Sequence, residues 1–235
     1  MKIQAIKTRI FKPAEKLLPF IESYVSAIQE KTILVVTSKI VALSEGRIVK
    51  KFNEKTKLAI IKRESDFILP TKFVYLTIKD GVIMANAGID ESNANGQIIL
   101  LPKDSFKAAN EIRNYFRKKY QLKNFGVLLT DSRCLPLRAG IVGVALGYAG
   151  FKGLKDYRRR RDIFNRPFKY SRVDVADSLA TAAVLCMGEG DEKQPLAVIT
   201  DAPVQYTNRT NKHELKIDIR EDLYGPMFKA IGKKK

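Results

Sequence analysis

Apolar positions along the chain follow two spacings, and these predict most of its elements. From 13 to 29, Leu17, Phe20, Ile21, Tyr24 and Ile28 share one stripe at helical spacing, which predicts a helix. Residues 33–39, ILVVTSK, form a β-branched run ending abruptly in polar residues, which predicts a buried strand. Residues 72–86 alternate around Asp80-Gly81 and read as a hairpin. IILLP at 98–102 is a further short buried strand. A helix is expected over 104–120, with Asp104 or Ser105 as N-cap and Phe106, Ile112 and Phe116 facing inward. FGVLLTDS at 125–132 repeats the apolar-to-polar design of 33–39. The segment 174–187 is expected to be helical, with Val175, Leu179, Ala182, Ala183 and Cys186 inside and Gly188 as C-cap. PLAVIT at 195–200 supplies another core strand, and 212–228 reads as a strand followed by a helical turn. Buried-strand runs alternating with amphipathic helices predict a mixed α/β or α+β fold. No composition shift divides the chain, so 1–235 reads as a single domain or as two lobes sharing a core without a clear boundary.

Composition narrows the class. Hydrophobic residues make up 45% and charged residues 29%, which excludes a disordered chain. Apolar runs are short, whereas a membrane-spanning helix needs roughly 20 residues. The N-terminus, MKIQAIKTRIF, lacks the apolar stretch of a signal peptide, and a cytoplasmic location is expected. With 2 Cys and 1 His, a zinc site, a disulfide framework and a Ser-His-Asp triad are all disfavoured. Any metal should therefore be a hard cation held by oxygen. The net charge of +18 favours anionic ligands, either a nucleic acid or a small polyanion such as a nucleotide with a carboxylated substrate. Part of that charge belongs to a terminal KKK run.

Three segments carry apolar residues into polar ones: VVTSK (35–39), MANAGIDESN (84–93) and LLTDSR (128–133). The polar ends of strands are frequent ligand positions in α/β folds. Asp90 and Asp131 both follow apolar stretches, and with Ser132 they suit Mg²⁺ or Mn²⁺ beside phosphate oxygens. The competing reading is that each Asp caps a turn. Glu189, just past a helix C-terminus, is disfavoured there by the helix dipole and is either a ligand or solvated. The glycines of 140–150 either admit a phosphate or allow close packing, and no P-loop motif accompanies them. The run YRRRRDIFNRP (157–167) suits a carboxylate or phosphate, an RNA, or simply a solvated loop.

Taken in order, VVTSKIVALSEGR (35–47), NAGIDESNANG (86–96), LLTDSRCLPLRAGIVGVALGYAGF (128–151), DIFNRPF (162–168) and VADSLATAAVLCMGEGDEKQPLAVI (175–199) resemble the coenzyme F420-0:L-glutamate ligase family. The resemblance implies an intertwined homodimer of α+β subunits. It also implies an enzyme that uses GTP and a divalent metal, Mg²⁺ or Mn²⁺, to join L-glutamate to a carboxylated deazaflavin through an acyl phosphate. K⁺ is a further candidate cation. By position, Asp90, Asp131, Ser132 and Glu189 would hold metal. Ser38, Lys39, Asn93, Met187, Gly188 and Gly190 would border the nucleotide. Arg138 joins Asp90 and Asp131 as a catalytic candidate, and Arg159, Asp162 and Arg166 are candidates for binding the acceptor. A folate-type acceptor and a non-catalytic protein that binds nucleic acid or a partner through the arginine run are the alternatives.

The chain departs from the family pattern at several points. Ser132 stands where Thr is common, and Glu189 where Gln is usual. Leu43 replaces a nucleotide-contacting Lys. The early Gly-Leu-Pro-Glu loop is absent, with Lys7-Thr8-Arg9 near its place. Arg159 and Asn165 occupy usual Gly positions. Asn tolerates a left-handed backbone; Arg does so at a cost, so Arg159 is expected to avoid it and reshape the acceptor pocket instead.

Overall fold

The computed structural model describes residues 1–227; residues 228–235, with the last residue of the 212–228 reading, lie outside the described residues. Its centre is a five-stranded sheet built from β1 (Lys2–Ile6), β2 (Thr32–Thr37), β8 (Phe125–Cys134), β9 (Ile141–Ala149) and β12 (Leu196–Thr200), in the order β1-β12-β2-β8-β9. β2 and β8 run parallel, with Thr37 opposite Thr130, while the other neighbours pair antiparallel. The β-branched run of β2 is buried on both faces. Leu34 and Val36 point into one cluster with Phe20, Ile21, Ile112 and Phe116; Ile33 and Val35 point into another with Leu179, Ala180 and Ala183. The first cluster is covered by α1 (Leu17–Tyr24), α2 (Ser38–Ser44) and α4 (Ser105–Lys119), the second by α5 (Val175–Met187). The sheet therefore lies between two helical layers, as the two-sided apolar pattern of a central strand requires.

The glycines of β9 serve packing. A Cβ on Gly143 would stand 2.4 Å from the carbonyl oxygen of Ala180 in α5, and one on Gly147 would stand 2.5 Å from the backbone of Ser105 in α4. Both helices thus lie directly against the strand, one on each face. Asp104 caps α4 by accepting from the Lys107 amide at 2.8 Å, and Asp174 caps α5 by accepting from the Asp177 amide at 2.9 Å.

Beside this sheet lies a smaller group of elements. β4 (Phe67–Pro70), β5 (Tyr75–Lys79) and β6 (Val82–Ala85) form an antiparallel sheet. Asp80 and Gly81 both have positive φ at its hairpin turn, as a primed two-residue turn demands. β3 (Ile48–Val49) pairs with β7 (Ile98–Ile99), and α3 (Glu54–Glu64) packs Ile60 against Ile98 and Leu100. Glu64 binds these parts together: it receives the Arg47 guanidinium at 2.8 Å and the Lys79 ammonium at 3.1 Å. Lastly, β10 (Leu154–Asp156) and β11 (Arg172–Asp174) pair as a hairpin at the N-terminus of α5.

Four expectations need correction. The helix over 13–29 forms only from Leu17 to Tyr24, because Ala14 takes a left-handed φ and the backbone turns out of the helix at Val25. Ser38 and Lys39 begin α2 rather than finishing a strand. Cys186 and its neighbour Leu185 are exposed; the inner face of α5 is Ala176, Leu179, Ala180, Ala183, Val184 and Met187. The stretch from 212 forms turns instead of a strand. There Glu214 accepts from Tyr148 Oη at 2.8 Å and from the Gly153 amide at 2.7 Å, which binds it side-on to the core.

Candidate active site

Because β2 and β8 are parallel neighbours, their C-terminal ends open on one edge of the sheet. That edge receives Ser38 and Lys39 from the start of α2, and Asp131 and Ser132 from β8. Ser38 is buried, while Lys39 reaches outward. The chain beyond β6 also returns to this edge, as the loop AGIDESNANG.

That loop is bent tightly and held at many points. Asn86, Ala87, Gly88, Asn93, Asn95 and Gly96 all have positive φ. Asn and Gly accept this region; Ala87 occupies it at a cost of about 1 kcal/mol. The anchors that hold it are specific. The Asn86 side chain accepts from the Tyr75 amide at 2.9 Å, and buried Thr77 Oγ1 accepts from the Ala87 amide at 2.8 Å. Asp90 exchanges two backbone bonds with Ile99, each 2.9 Å. Lys57 of α3 pairs with Glu91. Lys39 Nζ lies 2.7 Å from Asp90 Oδ2 and donates to the Ser92 carbonyl at 2.9 Å. Asp90 Oδ1 accepts from the Ser92 amide at 2.7 Å.

The loop after α5 completes the edge. Gly188 ends the helix with φ 81°, and its amide donates to Val184 at 2.9 Å. Glu189 accepts a hydrogen bond from Ser132 Oγ, which fixes the carboxylate despite its unfavourable place beside the helix C-terminus. Asn93 Nδ2 donates to the Gly190 carbonyl at 3.0 Å, joining the two loops. Nearby, the Thr8 amide donates to the Lys193 carbonyl at 2.8 Å, so the Lys7-Thr8-Arg9 segment borders the same region. Leu43 turns into the core beside α1, away from any role like that of a lysine.

The charges of these groups act on one another. Burial pushes the Asp131 carboxyl up to about 6, and the carboxylates of Asp90 and Glu189 push in the same direction against the Ser132 amide and Lys39. Burial also opposes ionisation of Asp90, yet the Lys39 ammonium and the Ser92 donors outweigh it and hold Asp90 below the usual carboxylate range. Three carboxylates and a hydroxyl, with no His or Cys among them, suit a hard divalent cation. The repulsion at Asp131 is the kind of field that such a cation relieves. In this geometry the carboxylates do not converge on one point: among the described residues no three His, Cys, Asp or Glu side chains stand at metal-holding spacing. The positive charge at Asp90 is supplied by Lys39.

The structure thus brings together Ser38, Lys39, Asp90, Asn93, Asp131, Ser132, Met187, Gly188, Glu189 and Gly190. It does not bring the remaining candidates to that edge within one chain. Arg138 lies at the exposed tip of the β8–β9 hairpin. Arg159, Asp162 and Arg166 lie between β10 and β11, rooted at the N-terminus of α5, whereas Glu189 follows its C-terminus roughly 20 Å away along the helix axis. Their contacts are local: Asp162 accepts from Arg166 Nε at 2.8 Å, Arg158 pairs with Asp156 at 2.6 Å, and Arg161 donates to the Asn165 carbonyl at 2.9 Å. Arg159 has φ 72° and Asn165 φ 65°, so Arg159 takes the left-handed conformation it was expected to avoid. Two positions that sequence reasoning missed are Lys57 and Thr77, both anchors of the Asp90 loop; their only signal was a charged and a hydroxyl residue on otherwise ordinary elements.

Fold and site together define an α+β protein that gathers oxygen donors and one lysine where two parallel strands end. The family model for F420-0:gamma-glutamyl ligase matches residues 5–201. The chain is 34% identical over 215 residues to the coenzyme F420:L-glutamate ligase of Methanococcus maripaludis strain C7, covering 84% of this chain and 86% of that one. It is 31% identical over 228 residues to the ligase of that name from Methanocaldococcus jannaschii, covering 88% and 90%. The chain belongs to the F420-0:gamma-glutamyl ligase family, and it is an enzyme that forms amide bonds.

Proposed function

We propose that this protein is a cytoplasmic ligase, acting as a single catalytic unit in each subunit of a homodimer, that joins L-glutamate to the carboxylate of coenzyme F420-0 at the expense of GTP. The observation that carries the reading is the gathering of Asp90, Asp131, Ser132 and Glu189 on one sheet edge in a chain of this family. In the reaction, an oxygen of the acceptor carboxylate attacks the γ-phosphorus and the bond to the bridging oxygen breaks, giving an acyl phosphate and GDP. The glutamate amine then attacks the acyl carbon, phosphate leaves, and the amine's proton is lost. Mg²⁺ or Mn²⁺ at Asp90, Asp131, Ser132 and Glu189 would neutralise phosphate charge, with K⁺ as an additional cation.

The protein's own contribution is position and charge. Lys39 offers an ammonium at the start of α2, where anionic phosphate is also favoured by the helix dipole. The Asn93–Gly190 bond draws the two loops over the same edge, which suits a bound nucleotide. Ser132 orients Glu189. Arg159, Asp162 and Arg166 are assigned to the acceptor. The dimer is supported by the exposed apolar side chains of Leu135, Leu137 and Ile141 at the β8–β9 tip and of Leu185 on α5.

One assay tests this. The protein is incubated with GTP, Mg²⁺ or Mn²⁺, L-glutamate and a mixture of deazaflavin and tetrahydrofolate acceptors, and products are read by mass spectrometry. Gain of a glutamyl residue on the deazaflavin is expected. Gain on the folate alone would transfer the same chemistry to a pterin acceptor. No gain, with GTP intact and RNA bound in a salt-dependent manner, would overturn the ligase in favour of a basic binding protein.

A further inference from the structure

The hairpin that carries Arg159, Asp162 and Arg166 is held to the body of the protein at its root. Among the described residues, the hydrogen bonds of 157–168 stay within the hairpin, as from the Phe168 amide to the Arg160 carbonyl and from the Tyr157 amide to the Ser171 carbonyl. The root is Gly153, just before β10, and both of its polar atoms are fixed. Its amide donates to Glu214 Oε1 at 2.7 Å, and its carbonyl accepts from the Val175 and Ala176 amides, at 2.8 and 3.1 Å, where α5 begins. The same Glu214 oxygen accepts at 2.8 Å from Oη of Tyr148, a side chain only 1% exposed. A Cβ on Gly153 would stand 2.2 Å from that hydroxyl, so the root is pressed against the end of β9. Glu214 reaches this point on a strap that runs along the link between β9 and β10. The Lys152 amide donates to the Gln205 carbonyl at 2.9 Å, the Thr207 amide to the Gly150 carbonyl at 2.9 Å, and the buried Arg113 guanidinium to Asn208 Oδ1 at 2.8 Å.

We propose that Glu214 is a positioning residue for the acceptor: from outside the hairpin, it sets the angle at which the arginine loop leaves the core. This rests on the reading of that loop as acceptor-binding, and adds to it a residue that acts through Gly153 rather than on the acceptor itself. One carboxylate oxygen ties two donors, the root amide and the Tyr148 hydroxyl, so the hairpin cannot tilt without breaking a bond to a buried group. The lever is long. The chain from Gly153 to Arg159 spans at most roughly 20 Å, so a tilt of about 5° at the root shifts Arg159 by up to about 2 Å. A displacement of about 1 Å is enough to spoil the orientation of a bound reactant.

The test compares Glu214→Ala, Glu214→Gln, Asn208→Ala and Arg166→Ala with wild type in the full chain. Steady-state glutamyl transfer gives KM for the deazaflavin acceptor and for GTP, and deazaflavin fluorescence gives the acceptor Kd without turnover. Amide hydrogen exchange is followed at Gly153, Val175 and Ala176. Glu214→Ala is expected to raise the acceptor KM and Kd about tenfold, to leave the KM for GTP within about twofold, and to speed exchange at Gly153. Glu214→Gln keeps an oxygen that accepts from both donors and should behave as wild type. Asn208→Ala loosens the strap at Arg113, away from the root, and should lower the melting temperature with the acceptor KM unchanged. Arg166→Ala, in the loop itself, should raise the acceptor KM with exchange at Gly153 unchanged. If Glu214→Ala does not fold, Glu214→Asp, which draws the carboxylate back by one methylene, carries the same expectation. A rise with Arg166→Ala but none at Glu214, an equal rise in Asn208→Ala, or an equal rise in the KM for GTP would overturn the positioning role while leaving the acceptor loop standing. An acceptor KM and Kd unchanged in Arg166→Ala as well, or a wild type that binds no deazaflavin, would overturn the acceptor reading, and this inference with it.

Discussion

Asp90 and Asp131 differ in what surrounds them, and the difference predicts how their variants behave. Asp90 is satisfied by Lys39 and Ser92, whereas Asp131 is buried among like charges. Asp90→Asn and Asp131→Asn are both expected to lower glutamyl transfer at least about 100-fold, since each removes a charge from a preorganised site. Far-ultraviolet circular dichroism should be unchanged in both; full transfer in both variants would exclude a role for this edge in the chemistry. Arg159 makes a different case. Its φ of 72° is one that a Cβ opposes, so Arg159→Gly should raise the melting temperature, by up to about 1 kcal/mol of stability. The same variant should alter acceptor preference while leaving GTP affinity in place, read by competing acceptors in the mass-spectrometric assay. Loss of GTP affinity instead would assign the loop to the nucleotide.

Elements with strong periodicity were legible in the chain. β2 and β8 announce themselves by apolar runs, α4 by a stripe with an Asp cap, α5 by a stripe ending at Gly188, and the β5–β6 hairpin by Asp80-Gly81. α3 escaped because EKTKLAIIKRE buries only Ile60 and Ile61, so solvent covers most of its surface and no stripe is visible. α2 escaped because Ser38-Lys39 reads as the polar end of a strand, while the apolar residues after it continue the core from a helix. The site was half legible for a related reason. An acid after an apolar run pointed to Asp90 and Asp131, although Asp131 proves to lie inside β8 opposite Val144 and Asp90 in the loop beyond β6; ion pairs between distant segments, Lys39 with Asp90 and Lys57 with Glu91, leave no local pattern. At this scale Glu64 gives a pH prediction. Burial opposes its charge, but Arg47 and Lys79 outweigh that and hold its carboxyl at about 2. The folded value lies below the unfolded one, so the contribution is complete above about pH 4.5 and is lost as pH falls toward 2. Glu64→Gln should cost about 1–3 kcal/mol at pH 7, with the cost fading across that acid range in urea titrations. A pH-independent cost would mean that the site is packing alone.

For the whole molecule, the strongest sign of an assembly is apolar surface left outward. Leu137 is fully exposed at the hairpin tip, with Leu135 and Ile141 beside it and Ile163 and Phe164 exposed in the arginine loop. Light scattering after size exclusion should give twice the chain mass, and Leu137→Asp should shift the protein toward monomer; a monomeric wild type would exclude the dimer. Solution at high charge is no obstacle, because the net charge of +18 spreads over many exposed lysines and arginines and is screened beyond about 10 Å at ordinary salt. The order of the sheet has one more consequence. β12 lies between β1 and β2, so the last strand among the described residues fills the gap between the first two, and β2 waits for β8 across the whole smaller group of elements. Such distant pairings make folding slow and leave little that is stable on the way. During synthesis, a chain that has not yet emerged past Thr200 has two strand edges unpaired and no finished ligand site. Chaperone dependence should therefore be governed by the final fifth of translation, and a stop codon anywhere before β12 should yield a protein that is degraded rather than one that is merely inactive.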